Sequence, residues 1–280
     1  MLKQYKDKAI EYEKKRQFDR DLNDHRYDDA LPIDGDYNYL PVKAGERIRR
    51  FFLVPAISFF GWIVGKFGFG LKIKGKKNLK SIKKSGAIAI CNHVHELDTL
   101  FVKISLGGFR TFHTGSFYLL KRGWAGRIFK SGGFLPVGET VKDLQKLSET
   151  VDILLKKGKI INFYPEHALW FRYEKIRPFK LGAFRFAAKA NVPVLPIFIE
   201  FRETALRKFF KMQKKIVLHI LTPEYPELQG GLKQRAEKLR DTVFKKMKDK
   251  YESVYSREMV YLPEEPDESG CELQMIAEEN

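Results

Sequence analysis

Apolar runs of strand length alternate with amphipathic stretches along most of the chain, from residue 71 to residue 251. The apolar runs predict strands over residues 86–90, 109–114, 133–137, 159–164, 194–199 and 215–221. The amphipathic stretches predict helices over residues 97–106, 140–157, 182–190 and 232–251. Because strands and helices take turns along the chain, the pattern indicates an α/β fold with a mainly parallel sheet flanked by helices.

The stretch from Thr140 to Lys157 gives the clearest helix signal. Its apolar residues fall on one face of a helix: Val141, Leu144, Leu147, Val151, Leu154 and Leu155. Thr140 and Asp143 have the spacing of a capping box, with Asp in place of the usual Glu. Gly158 follows two lysines and is typical of a helix end.

The chain before residue 71 carries different patterns. Residues 1–30 are mostly charged and predict a solvated helix and a loop outside the core, and prolines and glycines over 31–45 are typical of a linker. A segment over 46–70 then begins with Arg47, Arg49 and Arg50 and continues with fifteen uncharged residues, 51–65. The sequence therefore predicts an N-terminal amphiphilic helical segment in front of a main domain over 71–255.

The uncharged run suits a membrane surface better than a membrane crossing. As a helix it reaches about 22 Å, which is short of the roughly 30 Å hydrocarbon core of a bilayer. We expect it to enter one leaflet, with the three arginines at lipid phosphates and Trp62 near the interface. A buried helix of a soluble core and a true membrane span are the two alternatives.

Charge is distributed unevenly along the chain. The net charge is +17, but residues 251–280 hold nine acidic groups against Arg257 alone, so residues 1–250 carry +25. Such a body attracts nucleic acid, anionic lipid or phosphorylated substrates, and we expect the acidic tail over 256–280 to be mobile. Two cysteines and the absence of a secretory pattern predict a reducing, intracellular compartment.

Polar residues with catalytic potential follow two of the predicted strands. Asn92, His93 and Asp98 come after the strand at 86–90, and Glu166 and His167 come after the strand at 159–164. Ligands of parallel sheets bind at the carboxyl ends of the strands, so we expect both groups at one site. If His93 lies on the turn and Asp98 in the first helical turn, Asp98 can orient the imidazole as a general base.

Two other interpretations of the first group are open. In the first, Asn92, His93 and Asp98 serve only to cap and fasten a turn, as such residues often do. The spacing His93-x-His95-x-x-Asp98 is also superficially similar to the metal-binding pattern of metallo-β-lactamase-type hydrolases. The Asp is displaced by one position there and the last His is missing, so we expect no metal site.

Three ordered segments resemble conserved blocks of the glycerolipid (lysophospholipid) acyltransferase family. The first block is similar to Asn92-His93-(x4)-Asp98, the third to Tyr164-Pro165-Glu166, and the fourth to residues 192–197. The likeness covers roughly residues 70–225. It implies a glycerol-3-phosphate acyltransferase-like fold and an acyltransferase domain over 71–255.

The resemblance implies a mechanism and partners. His93 would be the catalytic base, Asp98 its orienting partner, and Glu166 a residue that organises the acceptor pocket. The family moves a fatty acyl group from acyl-CoA or acyl-carrier protein to a glycerolipid hydroxyl, with 1-acylglycerol-3-phosphate as the favoured acceptor, in phospholipid biosynthesis. We therefore expect no cofactor, an anionic membrane surface as partner, no nucleic acid, and a peripheral or monotopic location on the cytoplasmic face of the cell membrane.

The chain departs from the family pattern where the acceptor phosphate is normally held. The third block usually reads Phe-Pro-Glu-Gly-Thr-Arg-Ser, but His167 replaces the Gly and Leu169 the Arg, and Gly138 replaces the Arg that ends the second block. Replacement cations stand nearby in the sequence: Lys121, Arg122, Arg172, Lys175 and Arg177. We expect these cations, with Asn92 and His167, to line the substrate pocket, although a solvated loop explains the cations after block III equally well.

Two other functions compete with acyl transfer. A non-catalytic protein that binds anionic lipid or nucleic acid could use the same basic surface. An acyl-thioester hydrolase would use water where the transferase uses an alcohol. The pairing of His93 with Asp98 argues against pure binding, because binding needs no base beside a carboxylate.

Overall fold

A computed structural model of the chain describes residues 2–22, 33, 37–41, 43–120 and 123–265. Its centre is a seven-stranded sheet in the order β1-β7-β6-β2-β5-β3-β4. The strands are β1 (Lys72–Lys74), β2 (Ala87–Cys91), β3 (Thr111–Ser116), β4 (Phe134–Val137), β5 (Ile160–Phe163), β6 (Val194–Arg202) and β7 (Lys215–Ile220). All neighbours pair in parallel except β6 and β7, which are antiparallel. The mainly parallel sheet predicted from the sequence is therefore confirmed.

Eight helices accompany the described part of the sheet. They are α1 (Leu2–Lys14), α2 (Ala44–Ile63), α3 (Asp98–Leu106), α4 (Trp124–Gly132), α5 (Val141–Lys156), α6 (Gly182–Ala190), α7 (Ala205–Phe209) and α8 (Leu232–Tyr255). The capping box of α5 is present, since Asp143 N–H donates to Thr140 Oγ1 and Thr140 N–H to Asp143 Oδ2, both at 3.1 Å. Of these helices, α4 and α7 are additional to those predicted from the sequence.

The core lies on both faces of the sheet. Ile88 and Ile90 of β2 face one side, where α5, α6 and α8 pack, while Ala87, Ala89 and Cys91 face α3 on the other. All five residues are buried, which is why this strand reads as a continuous apolar run in the sequence. The two covering layers leave the carboxyl ends of β2 and β5 as the place where polar side chains can meet solvent.

The N-terminal helix α1 corrects one sequence prediction. Its charged outer face is solvated, but Ala9 and Glu13 are buried against the loop that follows β5, where Trp170 has no exposed surface. Few apolar residues are needed to cover the indole ring of Trp170. The hydrophobic periodicity of α1 is therefore too weak to predict this contact. The prediction that the segment contributes nothing to the core is therefore wrong for its inner face.

The acidic tail also begins with packed residues. Met259 is buried in the core beside α8, and the Tyr261 hydroxyl donates to Ile176 O at 2.6 Å. Leu262 N–H donates to the Glu13 carboxylate at 2.8 Å, which joins the tail to α1. The tail predicted as mobile from residue 256 is thus packed through this part. Residues 266–280, and most of the predicted linker over 31–45, lie outside the described residues.

Helix α2 and the π-helical turn after it, Val64–Gly68, form one apolar rod on the surface. The 25 residues have a mean hydropathy of 1.6 in their most apolar window, only 17% of which is buried. By length and composition this is the one helix among the described residues that could cross a membrane. Its exposure contradicts the alternative of a buried core helix.

The arginines at the start of α2 are placed differently from the prediction. Arg50 is buried and its Nη1 donates to Ser131 O at 2.8 Å, with its guanidinium 4.6 Å from the centroid of the Phe112 ring. Arg49 Nε donates to Ser131 Oγ at 2.8 Å. These two side chains fasten α2 to α4 and the sheet, so Arg47 is the member of the trio whose exposure suits contact with lipid phosphates.

Candidate functional site

His93 and Asp98 meet at the carboxyl end of β2. His93 Nδ1 donates to Asp98 Oδ2 at 2.6 Å, because His93 lies on the turn after the strand and Asp98 is the first residue of α3. The Asp98 carboxylate is fully buried, whereas 22% of the His93 side chain is exposed. The contact that the spacing predicted is present, and it leaves His93 Nε2 without a hydrogen bond to any described residue.

The carboxylate of Asp98 is held by more than the imidazole. Val94 N–H donates to Oδ2 at 3.2 Å, and the Thr99 hydroxyl lies 3.4 Å from Oδ1. Asp98 also stands at the N-terminus of α3, where the helix dipole favours a negative charge. These contacts hold the Asp98 carboxylate in the position that fixes the tautomer of His93 with a proton on Nδ1.

Tyr164 is a site residue that sequence reasoning did not single out. Its ring stacks on His93 with the centroids 4.0 Å apart and the planes 18° from parallel. Its hydroxyl lies 3.0 Å from Thr99 Oγ1, so Tyr164, Thr99, Asp98 and His93 form one hydrogen-bonded series. Burial raises the pKa of Tyr164 well above its usual range, with a smaller effect of the Asp98 charge, so the phenol stays neutral. The available signal was the Tyr at a position where the family pattern has Phe.

Asn92 fastens two strands together. Its amide nitrogen donates to Ile199 O at 3.2 Å, and its Oδ1 accepts from Ile199 N–H at 2.8 Å. The side chain is fully buried, and both amide groups are engaged. Asn92 therefore ties the end of β2 to β6, which corrects the expectation that it lines the substrate pocket.

Glu166 lies beneath the backbone of His93. Its Oε2 accepts from His93 N–H at 3.1 Å and from Arg177 Nη2 at 2.8 Å, and its Oε1 accepts from Arg177 N–H at 3.0 Å. Neither side chain of the ion pair is exposed. Since every contact is internal, Glu166 positions the loop that carries the imidazole and does not itself face a ligand.

Arg177 is enclosed from every side. Its guanidinium donates to the carbonyl oxygens of Phe18 at 2.9 Å and of Ala168, and lies 4.7 Å from the centroid of the Trp170 ring. Burial lowers the pKa of Arg177, and the Glu166 charge opposes this shift. The expectation that Arg177 grips an acceptor phosphate is corrected, because this cation is completely buried and already paired.

Comparisons with known proteins test the resemblance to the acyltransferase family. The protein-family model described as Acyltransferase matches residues 70–200, a region that contains His93, Asp98, Tyr164 and Glu166. This part of the chain is therefore similar to the acyltransferase family. The resemblance drawn from the three sequence blocks is thereby confirmed.

Two curated acyltransferases are similar over the same part of the chain. The chloroplastic 1-acyl-sn-glycerol-3-phosphate acyltransferase BAT2 of Brassica napus is 34% identical over 132 residues, which are 45% of this chain and 36% of that protein. The chloroplastic 1-acyl-sn-glycerol-3-phosphate acyltransferase LPAT1 of Arabidopsis thaliana is 33% identical over 136 residues, which are 46% of this chain and 35% of that protein. The match thus spans little more than a third of the length of each relative.

A solved structure shares the fold of this chain. The crystal structure of the 1-acyl-sn-glycerophosphate acyltransferase PlsC from Thermotoga maritima matches it with a TM-score of 0.58 at 19% identity. The match covers 77% of this chain and 85% of that chain. It confirms the acyltransferase-like α/β fold that the resemblance of the sequence blocks implied.

Local structure bears on two of the positions where the chain departs from the family pattern, 167 and 138. His167 is exposed and has a φ of 74°, a left-handed conformation that suits the Gly of the usual block III better than a side chain. A Cβ atom at Gly138, in block II, would lie 2.5 Å from the Asp143 Cβ of the capping box. An arginine at position 138 would therefore displace Asp143, which forms the capping box of α5 with Thr140.

The other expected acceptor-binding cations are distributed unequally. Lys175 pairs with the buried carboxylate of Glu13, so it holds α1 in place. Lys121 and Arg122 lie outside the described residues. Arg172 is half-buried, and its guanidinium makes no hydrogen bond or ion pair with any residue that the structure describes. It is the replacement cation best placed to receive an anion.

Arg172 lines a small pocket near the first block. Its backbone N–H donates to Val94 O at 2.8 Å, which places the residue beside the turn that carries His93. The pocket is also lined by His95, Phe201, Glu174 and Lys214. Burial lowers the pKa of His95, and the Arg172 charge lowers it further, while the Asp98 and Glu96 charges oppose the shift. Lys214 pairs with Glu174 at 2.8 Å, so Arg172 is the cation of this wall that has no ion-pair partner among the described residues.

His95 does not join His93 in a cluster that suits a metal. Its Nδ1 accepts from Leu97 N–H at 3.0 Å, and its ring packs against Phe69, Phe101 and Phe171. Within the described ranges, no group of three or more His, Cys, Asp or Glu side chains is arranged to hold a metal ion. His95 therefore belongs to an aromatic cluster beside the site.

Proposed function

We propose that the protein is an O-acyltransferase that moves a fatty acyl group from an acyl-CoA or acyl-carrier-protein thioester to the hydroxyl of a lysophospholipid, in phospholipid biosynthesis. The observation that carries the proposal is the His93–Asp98 pair, in which the carboxylate is buried and the imidazole is partly exposed. Nδ1 is held by a buried carboxylate, and Nε2 is left to take a proton. This is the arrangement of a general base.

The reaction follows from this arrangement. His93 Nε2 takes the proton of the acceptor hydroxyl while the hydroxyl oxygen attacks the thioester carbonyl carbon. Backbone amides at the start of α3 stabilise the oxyanion of the tetrahedral intermediate. The intermediate collapses with cleavage of the carbon–sulfur bond, and the thiolate leaves with the proton that His93 held. Asp98 stabilises the imidazolium between the two proton transfers.

The acceptor proposed is 1-acylglycerol-3-phosphate. Two curated relatives bear the name of this activity, and the basic body of the chain favours an anionic acceptor. Arg172 is proposed to bind the phosphate in place of the two arginines that the family pattern has and this chain lacks. One planar guanidinium can bind a phosphate with two parallel hydrogen bonds, which Lys214 beside it cannot do.

A substitution at Arg172 tests the acceptor. Arg172 has a φ of 59°, and Arg172→Gln keeps the same backbone strain. The substitution removes only the positive charge and the paired N–H donors of the guanidinium. We expect it to raise the KM for lysophosphatidate by about tenfold, the scale of a charge-assisted hydrogen bond, and to leave thioester hydrolysis unchanged. Lys180→Gln is the control, because Lys180 is exposed and pairs with Asp19. An unchanged KM, together with efficient acylation of an uncharged alcohol, would refute the phosphate acceptor.

We propose that the protein associates peripherally with the cytoplasmic face of the cell membrane through α2. The helix contacts the main domain from Arg50 through Val54 and Gly61 to Gly65. A Cβ atom at Gly61 of α2 would lie 2.6 Å from the side chain of Leu100 in α3, so these two helices approach very closely there. A helix packed along its length cannot cross a bilayer without leaving the domain. The 25 residues suit a position in the plane of one leaflet.

Product analysis separates acyl transfer from the alternatives. The purified chain is incubated with a labelled acyl thioester, as acyl-CoA or acyl-carrier protein, and a panel of lysophosphatidate, other lysolipids and acyl amino acids. We expect a labelled diacyl product by mass spectrometry, with lysophosphatidate preferred. Release of free fatty acid alone would identify a hydrolase, and the absence of any thioester consumption would identify a binding protein.

A further inference from the structure

A second exposed apolar surface lies far along the chain from α2. Helix α7 and the residues after it expose four large apolar side chains, Leu206, Phe209, Phe210 and Met212, with Phe209 80% exposed. The Phe209 and Phe210 rings are perpendicular at 5.1 Å between centroids. We name residues 205–212 the α7 segment. Single exposed apolar side chains are common, but four within seven residues form a patch.

The α7 segment combines these apolar side chains with positive charge. Leu206, Phe209 and Phe210 are three and four positions apart, so a single helical turn presents them on one side. Lys208 and Lys211 are exposed, and their ammonium groups have no ion-pair partner within the described part of the chain. Apolar and aromatic side chains flanked by lysines are the composition of interfacial membrane helices.

The α7 segment is fastened to the C-terminal end of α2. Arg207 is buried, and its Nη1 donates to Gln213 O at 2.8 Å and to Gly68 O at 3.5 Å. Ile216 N–H donates to Phe69 O at 3.1 Å, which joins the same two stretches of chain. Phe67, the residue before Gly68, is 70% exposed and lies against Trp62, with the ring centroids 6.2 Å apart. These hydrogen bonds place the α7 segment beside the turn that follows α2.

We propose that the α7 segment is a second membrane contact, which with α2 forms one docking surface for an anionic bilayer. The inference rests on the proposed membrane association of α2 and adds a separate element to it. A single helix in the plane of a leaflet leaves the domain free to rotate about the helix axis. A second contact beside the end of the helix removes this rotation and fixes the direction in which the site at the sheet edge faces.

The charge and extent of the surface identify a lipid partner. It includes exposed apolar side chains along about 37 Å of helix and those of the α7 segment, and large exposed apolar patches mark interaction sites. Lys66, Lys208 and Lys211 accompany these side chains, and all three are exposed. Anionic head groups complement this pattern, and each lysine close to such a surface adds to binding.

Matched pairs of phenylalanines test the proposal. Phe209→Asp with Phe210→Asp changes the α7 segment, and Phe59→Asp with Phe60→Asp changes α2, where the two rings are also exposed and in contact. Val141→Asp with Leu228→Asp is the control, since both side chains are exposed away from α2. Co-sedimentation is measured with vesicles of equal parts phosphatidylcholine and phosphatidylglycerol, and circular dichroism shows that each variant is folded. We expect both phenylalanine variants to bind about tenfold more weakly and the control to bind normally.

The outcomes separate the two proposals. If the unmodified chain does not sediment with vesicles, the membrane association proposed for α2 is wrong and the inference is wrong with it. If only the α2 variant loses binding, the inference alone is overturned. Loss of a dimer in light scattering on Phe209→Asp with Phe210→Asp, with unchanged vesicle binding, would assign the surface to a second copy of the chain and would also overturn it.

A polarity-sensitive dye gives an independent measurement. The dye is attached to Phe209→Cys in a chain with Cys271→Ser, because Cys91 is buried and does not compete for the label. We expect its emission to shift to the blue when vesicles are added. The same dye on Leu228→Cys should not shift. Equal responses at the two positions would contradict a contact made specifically by the α7 segment.

Discussion

The loops that follow β2 and β5 stand side by side at the same edge of the sheet, yet they use their charges in opposite ways. After β2, the Asp98 carboxylate is buried and its histidine partner is partly exposed. After β5, Glu166 and its arginine partner are both completely buried. The first loop presents a reactive nitrogen to solvent, and the second encloses an ion pair that supports the first.

The difference shows how chemistry and architecture are divided at this edge. The Glu166 carboxylate touches the backbone N–H of His93, so the buried pair acts on the site through the main chain. The α1 helix, Trp170 and the start of the tail cover that pair from outside. Substitutions in the β2 loop should therefore alter turnover at constant stability, and substitutions in the β5 loop should alter stability first.

Replacing His93 should have the largest effect. His93→Ala removes the base, and we expect acyl transfer to fall by about 10²- to 10⁴-fold in a variant that remains folded, because Asp98 keeps its hydrogen bond from Val94 N–H. Steady-state kinetics with acyl-CoA measures the loss. A folded variant with near-normal turnover would eliminate the mechanism and with it the contrast between the loops.

Removing Arg177 should cost stability before it costs chemistry. Arg177→Met leaves the Glu166 carboxylate buried without its partner. We therefore expect the free energy of unfolding to fall by about 3–5 kcal/mol. Urea titration measures it, and Glu166→Gln provides a second variant of nearly unchanged shape. Lys180→Met, which breaks an exposed pair with Asp19, should be almost neutral. Equal stability of Arg177→Met and Lys180→Met would contradict the supporting role.

Asp98→Asn should slow catalysis less than loss of the imidazole. The amide keeps the shape of the carboxylate but no longer stabilises the imidazolium, so we expect a decrease of about 10- to 100-fold, the scale of a charge-assisted hydrogen bond. The decrease should appear in kcat, since Asp98 is buried and does not touch the acceptor. A change confined to KM would show that Asp98 shapes the pocket instead.

The hydroxyl of Tyr164 should have a smaller effect again. Tyr164→Phe restores the family's usual residue and keeps the stacking on His93, but it removes the hydrogen bond to Thr99. We expect a loss of about 2- to 10-fold in kcat, equal to one neutral hydrogen bond. Tyr164→Leu, which also removes the stacking, is the comparison, and equal kinetics of the two variants would mean that the ring does not position the imidazole.

His167→Gly should produce the smallest change, and it should be a gain. Position 167 has a φ of 74°, which costs a side chain more than it costs glycine. After allowing for the extra entropy of glycine in the unfolded chain, we expect stabilisation by about 0.5–1 kcal/mol. His167→Ala keeps the strain and should not stabilise. A loss of acyl transfer in both variants would instead give the His167 side chain a part in the reaction.

The sequence predicted the parts of the fold that depend on local pattern. Strand β2 and helix α5 stand where continuous apolar burial and the Thr140–Asp143 capping box place them. The contact of His93 with Asp98 was also predictable, because a turn and the first residue of a helix lie only five positions apart. The roles of Arg177 and Arg50 were not predictable, since the sequence pattern indicates surface cations at both positions and both are buried.

The sequence by itself therefore determined the α/β fold, six of the seven described strands and four of the six described helices of the main domain, and the pair of side chains that carries the proposed chemistry. These depend on periodicity and on spacings of a few residues. Only the tertiary structure decided which charges face solvent. Arg177 pairs with Glu166, eleven residues before it. Arg177 also donates to Phe18 O, and Arg207 of the α7 segment donates to Gly68 O, each across more than a hundred residues. Burial and pairing over such separations leave no local signal in the chain.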